Sequence, residues 1–166
     1  MTPAAYLNSL PMPAARTALG RCCGARRWVE AMLAARPFAS DDELLAAAER
    51  VWWGLGRTDW LEAFAAHPRI GDRGSGGRAL TDWARREQVG ADGGAGATLA
   101  ALAQGNLTYE GRFGHVFLIS ATGKTADEML GALRGRLAND PATELRVAAE
   151  EQAKITRLRL DKLVVA

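Results

Sequence analysis

The sequence predicts an all-α fold, a single-domain multi-helix bundle over residues 1–166. Three observations predict it. Apolar residues recur at i, i+3 and i+4 through most of the chain. Helix-start signals stand before three of these runs. A single short run, near 115–121, reads as extended chain instead.

The elements follow in order. Residues 26–35 carry Trp28 and Met32 on one side, and Pro37 stops the helix. Ser40-Asp41-Asp42-Glu43 is a capping box that opens the next helix, with Leu44, Leu45, Ala48, Val51 and Trp52 at helical spacing. Gly54 and Gly56 end it. Thr58 is expected to cap a short helix whose apolar face is Trp60, Leu61 and Phe64, and which runs into His67-Pro68. Residues 80–89 read as another short helix, capped by Thr81 or Asp82. Thr125-Ala126-Asp127-Glu128 is a second capping box, followed by Met129, Leu130, Leu133 and Leu137. Asn139-Asp140-Pro141 is a cap with proline at the first helical position; Leu145, Ala149, Ile155, Leu158 and Leu163 then line the last helix. The glycine-rich stretches 73–78 and 91–96 read as loops, without the strand and helix context of a phosphate loop.

The segment His115-Val116-Phe117-Leu118-Ile119-Ser120, bounded by Gly114 and Gly123, reads as a strand. A lone strand has no sheet partner for its backbone N–H and C=O groups. Two readings stay open: a buried connector, or a backbone edge that holds a small polar heterocycle.

Composition excludes several classes. The net charge of +2 comes from 21 basic and 19 acidic residues spread along the chain, with no basic block for nucleic acid. It does not separate a monomer from a homodimer. No apolar run is long enough to span a membrane, and the start, Met1 to Tyr6, lacks the features of a secretory signal. The C-terminal Val164-Val165-Ala166 is not a peroxisomal address, so a cytoplasmic location is expected. Cys22 and Cys23 are adjacent, a poor geometry for a bridge, and are expected to pack as small hydrophobes. The two histidines, His67 and His115, form no metal-binding spacing, and no nucleophilic serine elbow is present.

Three places could carry chemistry. His67 precedes Pro68 and so stands at a helix end; it is either a capping or surface residue or a proton donor near neutral pH. Ala84, Glu87 and Gln88 share one helical face, offering a carboxylate beside an amide, or else a solvated face next to Arg85 and Arg86. Arg157 and Arg159 point to different sides of the last helix, so one can be solvated while the other turns inward towards an anion.

The motifs themselves go further. Phe64-Ala65-Ala66-His67-Pro68-Arg69-Ile70-Gly71-Asp72 resembles the His-Pro signature of the 2-oxo-4-hydroxy-4-carboxy-5-ureidoimidazoline (OHCU) decarboxylase family. Trp83-Ala84-Arg85-Arg86-Glu87-Gln88 is similar to that family's Trp-Ser-x-x-Glu-Gln segment. Asn106, Tyr109, Arg112-Phe113-Gly114, Arg136 to Asp140, Glu144-Leu145 and Leu158-Arg159-Leu160 continue the likeness, as do Trp28 and Arg36-Pro37-Phe38. The resemblance implies a single all-α domain that removes CO2 from OHCU to give (S)-allantoin in uric acid breakdown, with no metal or organic cofactor. It implies His67 as the catalytic acid and Glu87 as its partner. Pro68, Ala84, Gln88, Arg159 and the backbone of Phe117, Leu118, Ile119, Ser120 and Ala121 would bind the substrate. The chain departs from the family pattern at Ala84, where serine is common, and at His115-Val116, where an aromatic-proline pair is usual. A helical protein-interaction module and a ureide amidohydrolase are the competing readings. The first predicts exposed apolar grooves. The second needs a metal or nucleophile for which the sequence has no motif.

Overall fold

The computed structural model describes residues 1–70 and 94–164, and these hold eight helices and no strand. They are α1 Pro3–Ser9, α2 Met12–Cys22, α3 Arg26–Ala35, α4 Asp41–Trp53, α5 Arg57–Ala65, α6 Gly94–Phe113, α7 Ala126–Arg136 and α8 Pro141–Asp161. No helix among the described residues is long and apolar enough to cross a membrane. The chain divides into two compact units, Met1–Ala66 with Ala149–Ala166, and His67–Ala148.

In the first unit, α3 packs against α2, α4 and α5, and α1 against α2 and α4. Trp28, Leu19, Met32, Leu44 and Phe64 are fully buried. Buried indole N–H groups need acceptors. Trp28 Nε1 donates to the Ala48 carbonyl at 3.2 Å, and Trp52 Nε1 to the Ala149 carbonyl at 3.0 Å. Ser40 caps α4 as expected, accepting from the Glu43 N–H at 3.1 Å. The cap of α5 is Gly56 rather than Thr58: the Asp59 carboxylate reaches back to the Gly56 N–H at 3.4 Å, so the helix starts earlier than the sequence predicts. Cys22 and Cys23 are both free and buried. Burial pushes the Cys22 thiol up to about 12 and the Cys23 thiol up to about 11.

In the second unit, α6 lies along α7. Gly105 of α6 lets α7 approach closely, since a Cβ there would meet Leu133 Cδ2 at 2.6 Å. The unit's core is Leu102 and Tyr109 from α6, Ala126, Met129, Leu130 and Leu133 from α7, and Phe117 and Ile119 from the segment between them. Thr125 caps α7 by accepting from the Glu128 N–H at 3.1 Å. Asp140 caps α8 by accepting from the Thr143 N–H at 2.9 Å.

Two sequence expectations are corrected here. Residues 115–120 form neither strand nor helix, because no described neighbour offers them a backbone ladder. Gly94 and Gly96 belong to the first turns of α6, not to a loop, because the Ala-rich run that follows has high helix propensity. Helices α1 and α2 had no expectation at all; Thr2 caps α1 through the Ala5 N–H at 3.2 Å, and prolines sit in the first turns of both.

Candidate active site

The turn that carries His67 is built by short-range chemistry. Pro68 disfavours the helical region for the residue before it, and α5 has ended at Ala65. The chain then runs irregularly to Ile70. His67 is half-buried and Pro68 is exposed.

Two side chains of α6 hold this turn from outside. Asn106, almost completely buried, donates from Nδ2 to the Ile70 carbonyl at 2.8 Å. Glu110, one helical turn on, accepts from Arg69 Nε at 2.7 Å. Ile70 packs against the apolar core of the unit. The turn is therefore gripped through a carbonyl, a guanidinium and an aliphatic side chain in succession.

The second feature is the segment 115–121. Gly114, with φ of +79°, ends α6 and donates its N–H to the Glu110 carbonyl at 2.8 Å. His115 is half-buried, with its ring 5.5 Å from that of Tyr109 and 6.2 Å from that of Phe113. Phe117, Leu118, Ile119 and Ser120 are buried; Ala121 is exposed. Arg136 of α7 donates from Nη1 to the Leu118 carbonyl at 2.8 Å, and its guanidinium lies 4.6 Å from the Phe117 ring centroid. Lys124 donates from Nζ to the Ser120 carbonyl at 3.0 Å.

Arg136 is itself held by a buried carboxylate. Glu144 is fully buried and accepts from Arg136 Nε at 2.6 Å, from Tyr109 Oη at 2.5 Å and from Asn139 Nδ2 at 3.0 Å. Burial, and then the hydrogen bond to Glu144, hold the Tyr109 hydroxyl far above the usual phenol range. This tyrosine stays a neutral donor.

In the second unit Ile70, which follows the His67-Pro68 turn, and Phe117 and Ile119 of the segment all contribute to one apolar core. Ala84, Glu87 and Gln88, with the short helix expected over 80–89, lie outside the described residues. Arg159 belongs to the first unit, where Nη1 donates to the Arg21 carbonyl at 3.2 Å. The expectation that one of Arg157 and Arg159 turns inward is corrected, since both are exposed. Thr156 and Leu160 are the buried positions in this part of α8, and at about 100° per residue Arg157 and Arg159 flank that stripe at roughly equal angles.

Sequence reasoning matched Asn106, Arg136 and Glu144 to a pattern without seeing what they do. The available signal was polar residues one turn from apolar ones: Asn106 before Tyr109, Arg136 after Leu133 and Glu144 before Ala148. A polar side chain on an apolar face needs a partner inside.

The fold is that of solved helical enzymes. A crystal structure of OHCU decarboxylase in the presence of (S)-allantoin superposes with a TM-score of 0.74 at 37% identity, covering 89% of this chain and 96% of that one. A crystal structure of (S)-allantoin synthase, 23% identical, shares the fold with a TM-score of 0.71 over 97% of this chain and 54% of that one. The fold is thus that of a helical OHCU decarboxylase.

Residues 8–161 match the model of the OHCU decarboxylase family, and the chain belongs to that family. Among its relatives is the uric acid degradation bifunctional protein TTL of Arabidopsis thaliana, 42% identical over 86% of this chain and 45% of that protein. The chain thus spans less than half the length of that relative. The 2-oxo-4-hydroxy-4-carboxy-5-ureidoimidazoline decarboxylases of Haloferax volcanii and Amia calva are 32% and 34% identical, over 80% and 81% of this chain and 79% and 78% of theirs.

Proposed function

We propose that this chain decarboxylates OHCU to (S)-allantoin by acid–base chemistry without a metal or organic cofactor. One observation carries the reading: the likeness, over 96% of its length, to a decarboxylase crystallised in the presence of (S)-allantoin. The chemistry is intelligible for side chains alone. As the bond to CO2 breaks, its electron pair moves into the ring and the imine nitrogen takes it up. The hydroxyl on the carbon that lost CO2 becomes a ring carbonyl as its proton passes to that nitrogen. One proton is then delivered to one face of the carbon that carries the ureido group.

His67 is the proton donor in this reading, held in place by the braced turn it stands on. A positioned histidine supplies roughly 10²–10⁴-fold of the acceleration. Glu87 is its partner. Pro68, Ala84, Gln88, Arg159 and the backbone of 117–121 contact the substrate. These groups orient the carboxylate and stabilise the charge that develops as CO2 leaves.

The test is to generate OHCU in situ from urate and follow circular dichroism. Rapid growth of the (S)-allantoin signal, unchanged by chelators, is the expected result. No acceleration over the spontaneous, optically inactive decay would remove the proposed activity. Loss of turnover on chelation, restored by one metal, would remove the cofactor-free mechanism.

A further inference from the structure

We infer that Arg136 is a positioning residue for the decarboxylation site, acting through the peptide between Leu118 and Ile119; this rests on the reading that segment 117–121 binds substrate.

A buried arginine–carboxylate pair is a poor way to stabilise a core, because two ions lose their water and an apolar packing of equal volume does as well or better. Arg136 is 8% exposed and Glu144 is 0% exposed, so both have lost that water. The pair does supply something apolar side chains cannot: a rigid donor aimed at a chosen carbonyl.

That carbonyl belongs to Leu118. Among the described residues the segment has no strand partner to fix its peptide planes. A trans peptide is planar, with its C=O and N–H pointing in opposite directions. The only cis peptide among the described residues is Arg36-Pro37, so the Leu118–Ile119 peptide is trans. By drawing the Leu118 carbonyl towards α7, Arg136 turns the Ile119 N–H away from α7. Lys124, through the Ser120 carbonyl, fixes the plane of the Ser120–Ala121 peptide in the same way. The guanidinium cannot swing away, since Glu144 holds its Nε and the Phe117 ring lies under its face. Glu144 is fixed in turn by Tyr109 and Asn139. A carboxylate or ring carbonyl is the chemistry that a directed N–H recognises.

The experiment compares wild type with Arg136→Lys, Arg136→Met and Glu144→Gln on freshly generated OHCU. Arg136→Met should raise KM about tenfold while kcat changes less than about threefold, the pattern of lost uniform binding. Arg136→Lys should recover part of the KM, because an ammonium keeps a donor but lacks the rigid fork that reaches Glu144 and the Leu118 carbonyl together. Glu144→Gln should fall between them. A purely structural role would lower the active fraction, and with it kcat, and leave KM alone; that result overturns the inference. If Arg136→Met does not fold, unchanged KM in Arg136→Lys and Glu144→Gln overturns it equally. Wild type without turnover overturns the assigned activity, and the inference with it. Active wild type with indifferent variants overturns the inference alone.

Discussion

At the scale of single residues, the turn that carries His67 is held by groups outside it. The turn is set by Pro68, and its far end by Asn106 and Glu110. Removing the imidazole, the acid in the proposed mechanism, leaves these braces in place. His67→Ala should lose at least about a hundredfold in kcat, the lower end of what general acid catalysis supplies. Its helical circular dichroism and urea midpoint should match wild type. Glu87→Ala should behave the same way if Glu87 partners the acid. Turnover close to normal in either purified variant would remove that residue from the mechanism. The turn at His67 was legible in the sequence because proline marks it. Its braces were not, because a hydrogen bond from Asn106 to a main-chain carbonyl 36 positions away leaves no local pattern.

Among the elements, legibility followed the strength of the local start signals. Ser40 and Thr125 cap α4 and α7 as their motifs require, and Asp140 caps α8. Ser40→Ala and Thr125→Ala should each cost about 1 kcal/mol of stability. Urea unfolding checks this: the midpoint should fall with the slope unchanged. A midpoint that does not move would mean the cap oxygens are replaced by water at no cost. Helix α6 went unread because its sequence, rich in alanine and glycine, offers hardly any apolar contrast between faces. Close approach to α7 at Gly105 gives it its place, and that is a tertiary fact. The segment 115–120 shows the reverse. Its β-branched and aromatic residues read as a strand, but Phe117 and Ile119 are there to fill a helical core. Buried apolar residues without a ladder look like a strand when only composition is visible.

For the whole molecule, the fold class and family were legible because the motifs are ordered along nearly the full chain; residues 8–161 match one family. The division into two compact units was not. Both buried cysteines, and Trp28, Trp52, Trp53 and Trp60, fall in the first of these units. The thiols resist ionisation when folded and ionise near their ordinary value of 9.0 when unfolded. Since the folded values are raised, the linked stability is complete below pH 9 and lost as pH climbs towards 11–12. Urea midpoints should fall across that window, and Cys22→Ala/Cys23→Ala should flatten the fall.

The same burial gives the protein an internal clock. At pH 8 a thiol held near 12 is thiolate for only about one part in ten thousand, so a disulfide reagent has almost nothing to attack. Labelling must wait for the chain to open around Cys22 and Cys23. Because the two are neighbours, one opening should expose both, and the labelled mass should jump by two adducts rather than one. The dependence of that rate on urea then measures how much surface each opening exposes. A steep dependence, parallel to loss of tryptophan fluorescence, means that the first unit opens as a whole. A flat one means that only the end of α2 frays.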